Sequence, residues 1–152
     1  MDMVIVYHGT TVERAERIIK DQSIFTTSSD IARYDDTEIG YVYVTKRLCD
    51  ALDFSTRPPL IDNQVVFVVF KIYINENELL PDYDEAKHIS TLSHGGEKDC
   101  FRIKRKLRIG NDVVSVYCKR MYSNSSAGEF MQKVQYNEIS IQESEWKKPW
   151  EH

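Results

Sequence analysis

The chain has 152 residues, 41% hydrophobic and 29% charged. That is the composition of one folded, soluble domain, not of a disordered chain. Twenty Lys and Arg against 24 Asp and Glu leave a formal net charge of −4, which excludes a uniform basic coat for duplex DNA but permits a local basic patch. The longest strongly apolar run, residues 65–70, is far too short to cross a bilayer, so no membrane partner is expected. The N-terminus lacks the charged start and apolar core of a secretory signal. Cys49, Cys100 and Cys118 are scattered without a CxxC pair, and no His, Cys or carboxylate cluster has ligand spacing. They read as reduced thiols of a cytoplasmic protein that holds no metal.

Residues 3–8 form a β-rich first strand that stops at Gly9. Thr10-Thr11-Val12-Glu13 fits a capping box, with Thr10 as the N-cap. Val12, Ala15, Ile18 and Ile19 then line one face of an amphipathic helix that runs to about residue 21. Residues 26–39 are polar and read as a long loop with at most one helical turn, of a length that is usually functional or mobile. Residues 40–45 form a second strand, and 46–55 a helix with Leu48, Ala51 and Leu52 inward, ended by Pro58-Pro59. Residues 64–74 are the strongest strand, with an apolar centre that predicts burial on both faces.

After a turn near Leu79-Leu80 and a loop over 88–99, residues 101–109 alternate in polarity. Phe101, Ile103, Arg105, Leu107 and Ile109 fall on one side, and Arg102, Lys104, Lys106 and Arg108 on the other. With a turn at Gly110-Asn111-Asp112 and a strand over 113–118, residues 101–118 are predicted to be a hairpin. Residues 122–130 read as a polar connection, 134–141 as the last strand, and the tail 146–150 has no periodicity. No repeat or linker divides the chain. Two early helices followed by mostly strands predict an α+β domain over 1–152 with a largely antiparallel sheet arrangement.

Three segments carry more than this pattern. They are Tyr7-His8-Gly9-Thr10 between a strand and a helix, Gly40-Tyr41-Val42-Tyr43-Val44-Thr45 followed by a helix with Ala51 and Phe54, and Tyr136-Asn137-Glu138 near the end. In this order they resemble the His-Tyr-Glu branch of the ADP-ribosyltransferases, the group that includes the poly(ADP-ribose) polymerase catalytic domain. The resemblance runs from Tyr7 to about Ile141. It implies a split β-sandwich whose two helices, both in the N-terminal half, flank a cleft for NAD, the co-substrate.

The resemblance also implies roles. His8 would bond a ribose hydroxyl of the adenosine half of NAD, and Gly9 would offer its backbone to the nicotinamide amide. Thr10 belongs to the same motif, although its hydroxyl has a sufficient job as a helix cap. Tyr43 would stack on nicotinamide, with Phe54 as a second aromatic. Arg33, in the loop over the donor, would reach the pyrophosphate. Glu138 would be the catalytic carboxylate, orienting the ribose and stabilising the positive charge that builds as the nicotinamide bond breaks. On a strand over 134–141, Glu138 would share a face with Val134, Tyr136 and Ser140. The loop 122–133 would flank the cleft and help select the acceptor. One departure stands out. The polymerases usually carry a serine in the helix where this chain has Ala51.

Each residue has an ordinary alternative: a solvated turn histidine, a turn glycine, a core tyrosine or phenylalanine, a solvated loop arginine, a solvent-facing glutamate. The basic stripe Arg102–Arg108 suits a nucleic-acid or acidic acceptor, or simply protects an edge strand. The leading expectation is an NAD-dependent mono-ADP-ribosyltransferase acting on a protein or nucleic acid, of the kind found among small toxins. The alternatives are an NAD glycohydrolase, an RNA 2′-phosphotransferase relative (which does not use this glutamate) and a silent NAD- or ADP-ribose-binding module.

Overall fold

A computed structural model describes residues 2–28, 38–56, 64–82 and 96–151. Its α+β architecture, mostly antiparallel, agrees with the coarse expectation. The strands are β1 (Met3–Thr10), β2 (Ser23–Ile24), β3 (Val42–Thr45), β4 (Val65–Asn75), β5 (Leu80–Pro81), β6 (Cys100–Ile103), β7 (Leu107–Arg108) and β8 (Val113–Met121). The helices are α1 (Val12–Asp21), α2 (Leu48–Ser55) and α3 (Asn124–Gln135). Six strands form one sheet in the order β5-β6-β3-β1-β4-β8, and β2 pairs with β7 in a second. Among the described residues, no helix is long and apolar enough to cross a membrane.

The apolar run in β4 is buried on both faces, as its sequence requires, because β4 lies inside the sheet between β1 and β8. Its side chains alternate between two cores. Val68, Phe70, Ile72 and Ile74 join Val6, Val44 and the α1 residues Ala15 and Ile18. Phe67 and Val69 join Ala51 and Leu52 of α2 and Phe130 and Met131 of α3. The tail crosses the β8 edge between these cores. Lys147 and Val116 exchange two backbone bonds of 2.8 and 2.9 Å, while Trp146 packs into the second core and Trp150 against the first.

Several expectations are corrected. The N-cap of α1 is Thr11, whose hydroxyl accepts from the Arg14 amide at 3.3 Å; Thr10 is the last residue of β1 and is buried. The hairpin over 101–118 does not form. β6 pairs with β3 and β5, β7 with β2, and β8 with β4. The break has a charge at its centre. Arg105 interrupts the apolar side of the alternation and needs carboxylate partners. Its guanidinium bonds Glu78 at 2.6 and 3.1 Å and Asp112 at 2.9 and 2.9 Å. The chain bends there and leaves the sheet. Arg102 and Arg108 therefore sit in different sheets, and the four cations do not form one stripe.

The largest correction concerns residues 122–141. The expected polar connection is mostly α3, and the expected last strand is the end of that helix followed by turns. Ser123 caps α3, accepting from the Ser126 amide at 3.1 Å. Ala127, Phe130 and Met131 are buried, and Val134 packs against the same core, the i, i+3, i+4, i+7 spacing of one helical face. At the far end, Asn137 adopts φ 59°. The Glu138 amide donates to Lys133 O at 2.8 Å, and the Asn137 amide to Val134 O at 3.2 Å. Those two bonds around a left-handed residue are a Schellman cap.

Candidate functional site

β1 and β3 meet in a single register pair, Tyr7↔Thr45. That pair puts Tyr7, Gly9, Tyr43 and Thr45 on the α2 face, and His8, Thr10, Val42 and Val44 on the α1 face. The ladder does not continue to Gly9 and Tyr43, so the two strands part there. His8 holds the gap. Its Nδ1 lies 2.7 Å from the Tyr43 carbonyl oxygen. A carbonyl can only accept, so Nδ1 carries the proton, and in the neutral ring Nε2 is an acceptor.

Beside this split lies a cavity of about 200 Å³ beneath α1. His8, Thr10 and Tyr43 line it, together with Arg14, Arg17 and Phe25. Thr27, which also lines it, is tied to residues 40 and 41. The Thr27 amide and hydroxyl both donate to Tyr41 O at 2.8 Å, and the Gly40 amide donates to Thr27 O at 2.8 Å. Gly40 has φ 95°, a conformation that L side chains rarely adopt. Tyr43 is pinned at both ends, since its hydroxyl donates to Glu38 O at 3.1 Å. Glu38 in turn pairs with Arg102 at 2.9 Å, and that guanidinium lies 4.2 Å over the Tyr41 ring.

Gly9 answers a packing demand. A Cβ built there would fall 1.8 Å from Ala51 O, a backbone atom of α2. The helix is seated directly on the glycine, and the small, fully buried Ala51 belongs to the same contact. The first turn of α2 also carries a buried carboxyl. Burial pushes Asp50 up to about 6, against the opposing pull of the Arg47 guanidinium and of the Thr45 hydroxyl, which donates to it at 3.1 Å.

The other predicted site residues are not gathered here. Phe54 is buried beside Cys100 and does not line the cavity. Glu138 is exposed on the α3 cap and does not line it either. Arg33 lies outside the described residues. Residues 124–133, expected as a loop, are helical. The cavity also takes in residues outside the sequence-based set, among them Arg14, Arg17 and Phe25. The i, i+3 spacing of the two arginines was a usable signal, but on an amphipathic helix it also reads as a solvated face. Comparison of the chain with protein-family models, with curated proteins and with solved structures finds no match.

Proposed function

We propose that this chain is an NAD-dependent mono-ADP-ribosyltransferase, which moves ADP-ribose from NAD to a protein or nucleic-acid acceptor and releases nicotinamide. The observation that carries the reading is the 2.7 Å bond from His8 to the Tyr43 carbonyl. It joins two of the three motifs at the point where β1 and β3 separate. Gly9 and Tyr43 lie on one face of the split, and His8 and Thr10 on the other. Gly9 itself lies beneath α2, whereas His8, Thr10 and Tyr43 line one cavity, so a dinucleotide would meet its ring and ribose contacts there. The nicotinamide–ribose bond would break with positive charge building on the ribose, and the acceptor's nucleophile would bond that carbon and lose its proton.

One observation favours a second reading. Glu138 lies on a helix cap outside the cavity, so a silent NAD-binding module fits the geometry as well. Nicotinamide release from NAD by wild type, His8→Ala and Glu138→Gln, with and without cell lysate as acceptor source, separates the two. For a transferase, release rises with lysate, and His8→Ala weakens NAD binding by about tenfold. If Glu138 supplies the carboxylate, Glu138→Gln lowers release by about 100-fold or more at unchanged NAD affinity. Release that needs His8 but not Glu138 moves the catalytic role to another group. Release indifferent to lysate marks a glycohydrolase, and binding without release leaves the silent module.

A further inference from the structure

β8 is the outer strand of the six-stranded sheet, and the tail covers only part of its open edge. Val116 exchanges both backbone bonds with Lys147 in an isolated antiparallel bridge. Just before that bridge the tail coils into a 3₁₀ turn, Glu143–Glu145. Along a paired antiparallel strand, outward and inward backbone groups alternate. Val116 faces outward, so the amides and carbonyls of Cys118 and Arg120 do as well. Among the described residues, no backbone group meets them there. Beside this stretch, between α1 and the tail, lies a groove of about 650 Å³. Val12, Ile19, Val68 and Pro149 give it apolar walls. An open edge beside an apolar groove suits an extended peptide: main-chain bonds supply affinity, and the groove takes alternate side chains.

Charge selects the peptide. Lys119 and Lys147 line the groove, and Arg120 is exposed on the next residue of the strand. Of the two lining carboxylates, Glu145 already accepts from the Gln142 amide at 2.8 Å, and Glu16 belongs to the α1 wall. The strand side is therefore cationic. A second copy of the chain suits it less. Aligned antiparallel on this stretch, it would set Lys119 against Lys119 or Arg120 against Arg120, and like charges directly opposite disfavour pairing. Tyr122, 76% exposed just past the strand, offers the aromatic contact common in protein interfaces. We propose that the β8 edge at residues 118–120 takes up an extended acidic segment of a partner protein as an added strand. Its apolar side chains enter the groove, and its carboxylates face Lys119 and, beyond the groove, Arg120. The proposal does not depend on the NAD reading.

Fluorescence anisotropy at low salt tests this with two labelled peptides, one alternating Glu and Val, the other Lys and Val. Melting curves establish that each protein variant folds. Wild type binds the Glu–Val peptide about tenfold or more tightly than the Lys–Val peptide. Lys119→Glu/Arg120→Glu reverses that preference. Cys118→Pro removes one outward donor, a change that an edge strand tolerates, and weakens the Glu–Val peptide by about fivefold or more. Amide hydrogen exchange on wild type reads the same contact without a variant. The bound Glu–Val peptide slows exchange at Cys118 and Arg120 by about tenfold or more. Three results would overturn the proposal: no binding of the Glu–Val peptide to wild type, affinity within about twofold of wild type in the charge-reversed variant, or binding that leaves those two amides exchanging as in the free protein. A wild-type dimer in sedimentation whose formation protects the same two amides would give the edge to a second copy, and would overturn it too.

Discussion

His8-Gly9-Thr10 and Tyr136-Asn137-Glu138 are triplets that close an element, and they close it by different means. The first ends β1 where the sheet splits, with His8 bonded to a neighbouring strand 35 residues away and Gly9 beneath a helix. The second ends α3 through bonds to residues only three to five positions back. The first triplet's residues are thus fixed by partners distant in sequence, which is how a site is assembled. The second triplet's are fixed by their own helix, which is sufficient reason for an asparagine in the left-handed region. A three-letter motif carries chemistry only where the backbone beneath it brings in something from elsewhere.

The sharpest way to break this contrast is Gly9→Ala. The added Cβ meets the Ala51 carbonyl at 1.8 Å and cannot be relieved by rotating a side chain. Either α2 or β1 must shift. The expected loss is about 3 kcal/mol or more, seen as a lower urea midpoint. A loss under about 1 kcal/mol would mean that α2 is free to move off the strand and that Gly9 has no packing role.

Asp50, in the first turn of the same helix, sharpens the comparison with a pH effect. Its folded pKa of about 6 lies above the ordinary 3.8. The fold therefore favours the neutral acid. Stability from this group is fully present below about pH 4 and is lost as pH rises through about 6, by an amount on the order of 3 kcal/mol. Asp50→Asn removes that titration. The stability of the variant relative to wild type should rise between pH 4 and 6.5 and level off above. A difference that stays flat over that range would show that Asp50 is ionised throughout. Asp112 opposes this trend in the wild type. Burial alone would raise it, but the bonds from Arg105 and the Arg108 amide hold it below the usual range. The comparison must accordingly be between variant and parent at each pH.

The N-terminal region was the more legible because its signals are local and agree with one another. A β-rich run, a hydroxyl cap and an i, i+3, i+4 apolar set predict β1 and α1, and only the cap moves, by one residue, from Thr10 to Thr11. The apolar run of β4 likewise has one comfortable home, inside a sheet. Past residue 100 the local signals conflict. The alternation over 101–109 is real, but Arg105 breaks it through Glu78, 27 residues away, and nothing in the short-range pattern announces that partner. α3 is a different failure. Ser123 and the set Ala127, Phe130, Met131 and Val134 spell a capped helix, and the Tyr-Asn-Glu triplet outweighs them only if it is taken as a motif first. Of the residues that line the cavity, His8, Thr10 and Tyr43 belong to the motifs read from the sequence. Arg14, Arg17 and Phe25 do not, because what sets them apart is a cavity, and a cavity has no sequence period.

The smallest expected effect tests the second triplet most directly. If Asn137 serves the α3 cap, glycine serves it as well or better, because glycine reaches φ 59° without a side-chain penalty. Asn137→Gly should leave stability unchanged or raise it by a few tenths of a kcal/mol, and Asn137→Ala should lower it by about 1 kcal/mol. The order Gly ≥ Asn > Ala in thermal melts is the signature of a left-handed cap. Nicotinamide release by Asn137→Gly then isolates the neighbour. The variant keeps the backbone that holds Glu138 and changes only the side chain beside it. If release survives Asn137→Gly and falls in Glu138→Gln, the carboxylate has a role that the cap does not explain. If both variants release nicotinamide at the wild-type rate, the triplet is a helix stop and nothing more.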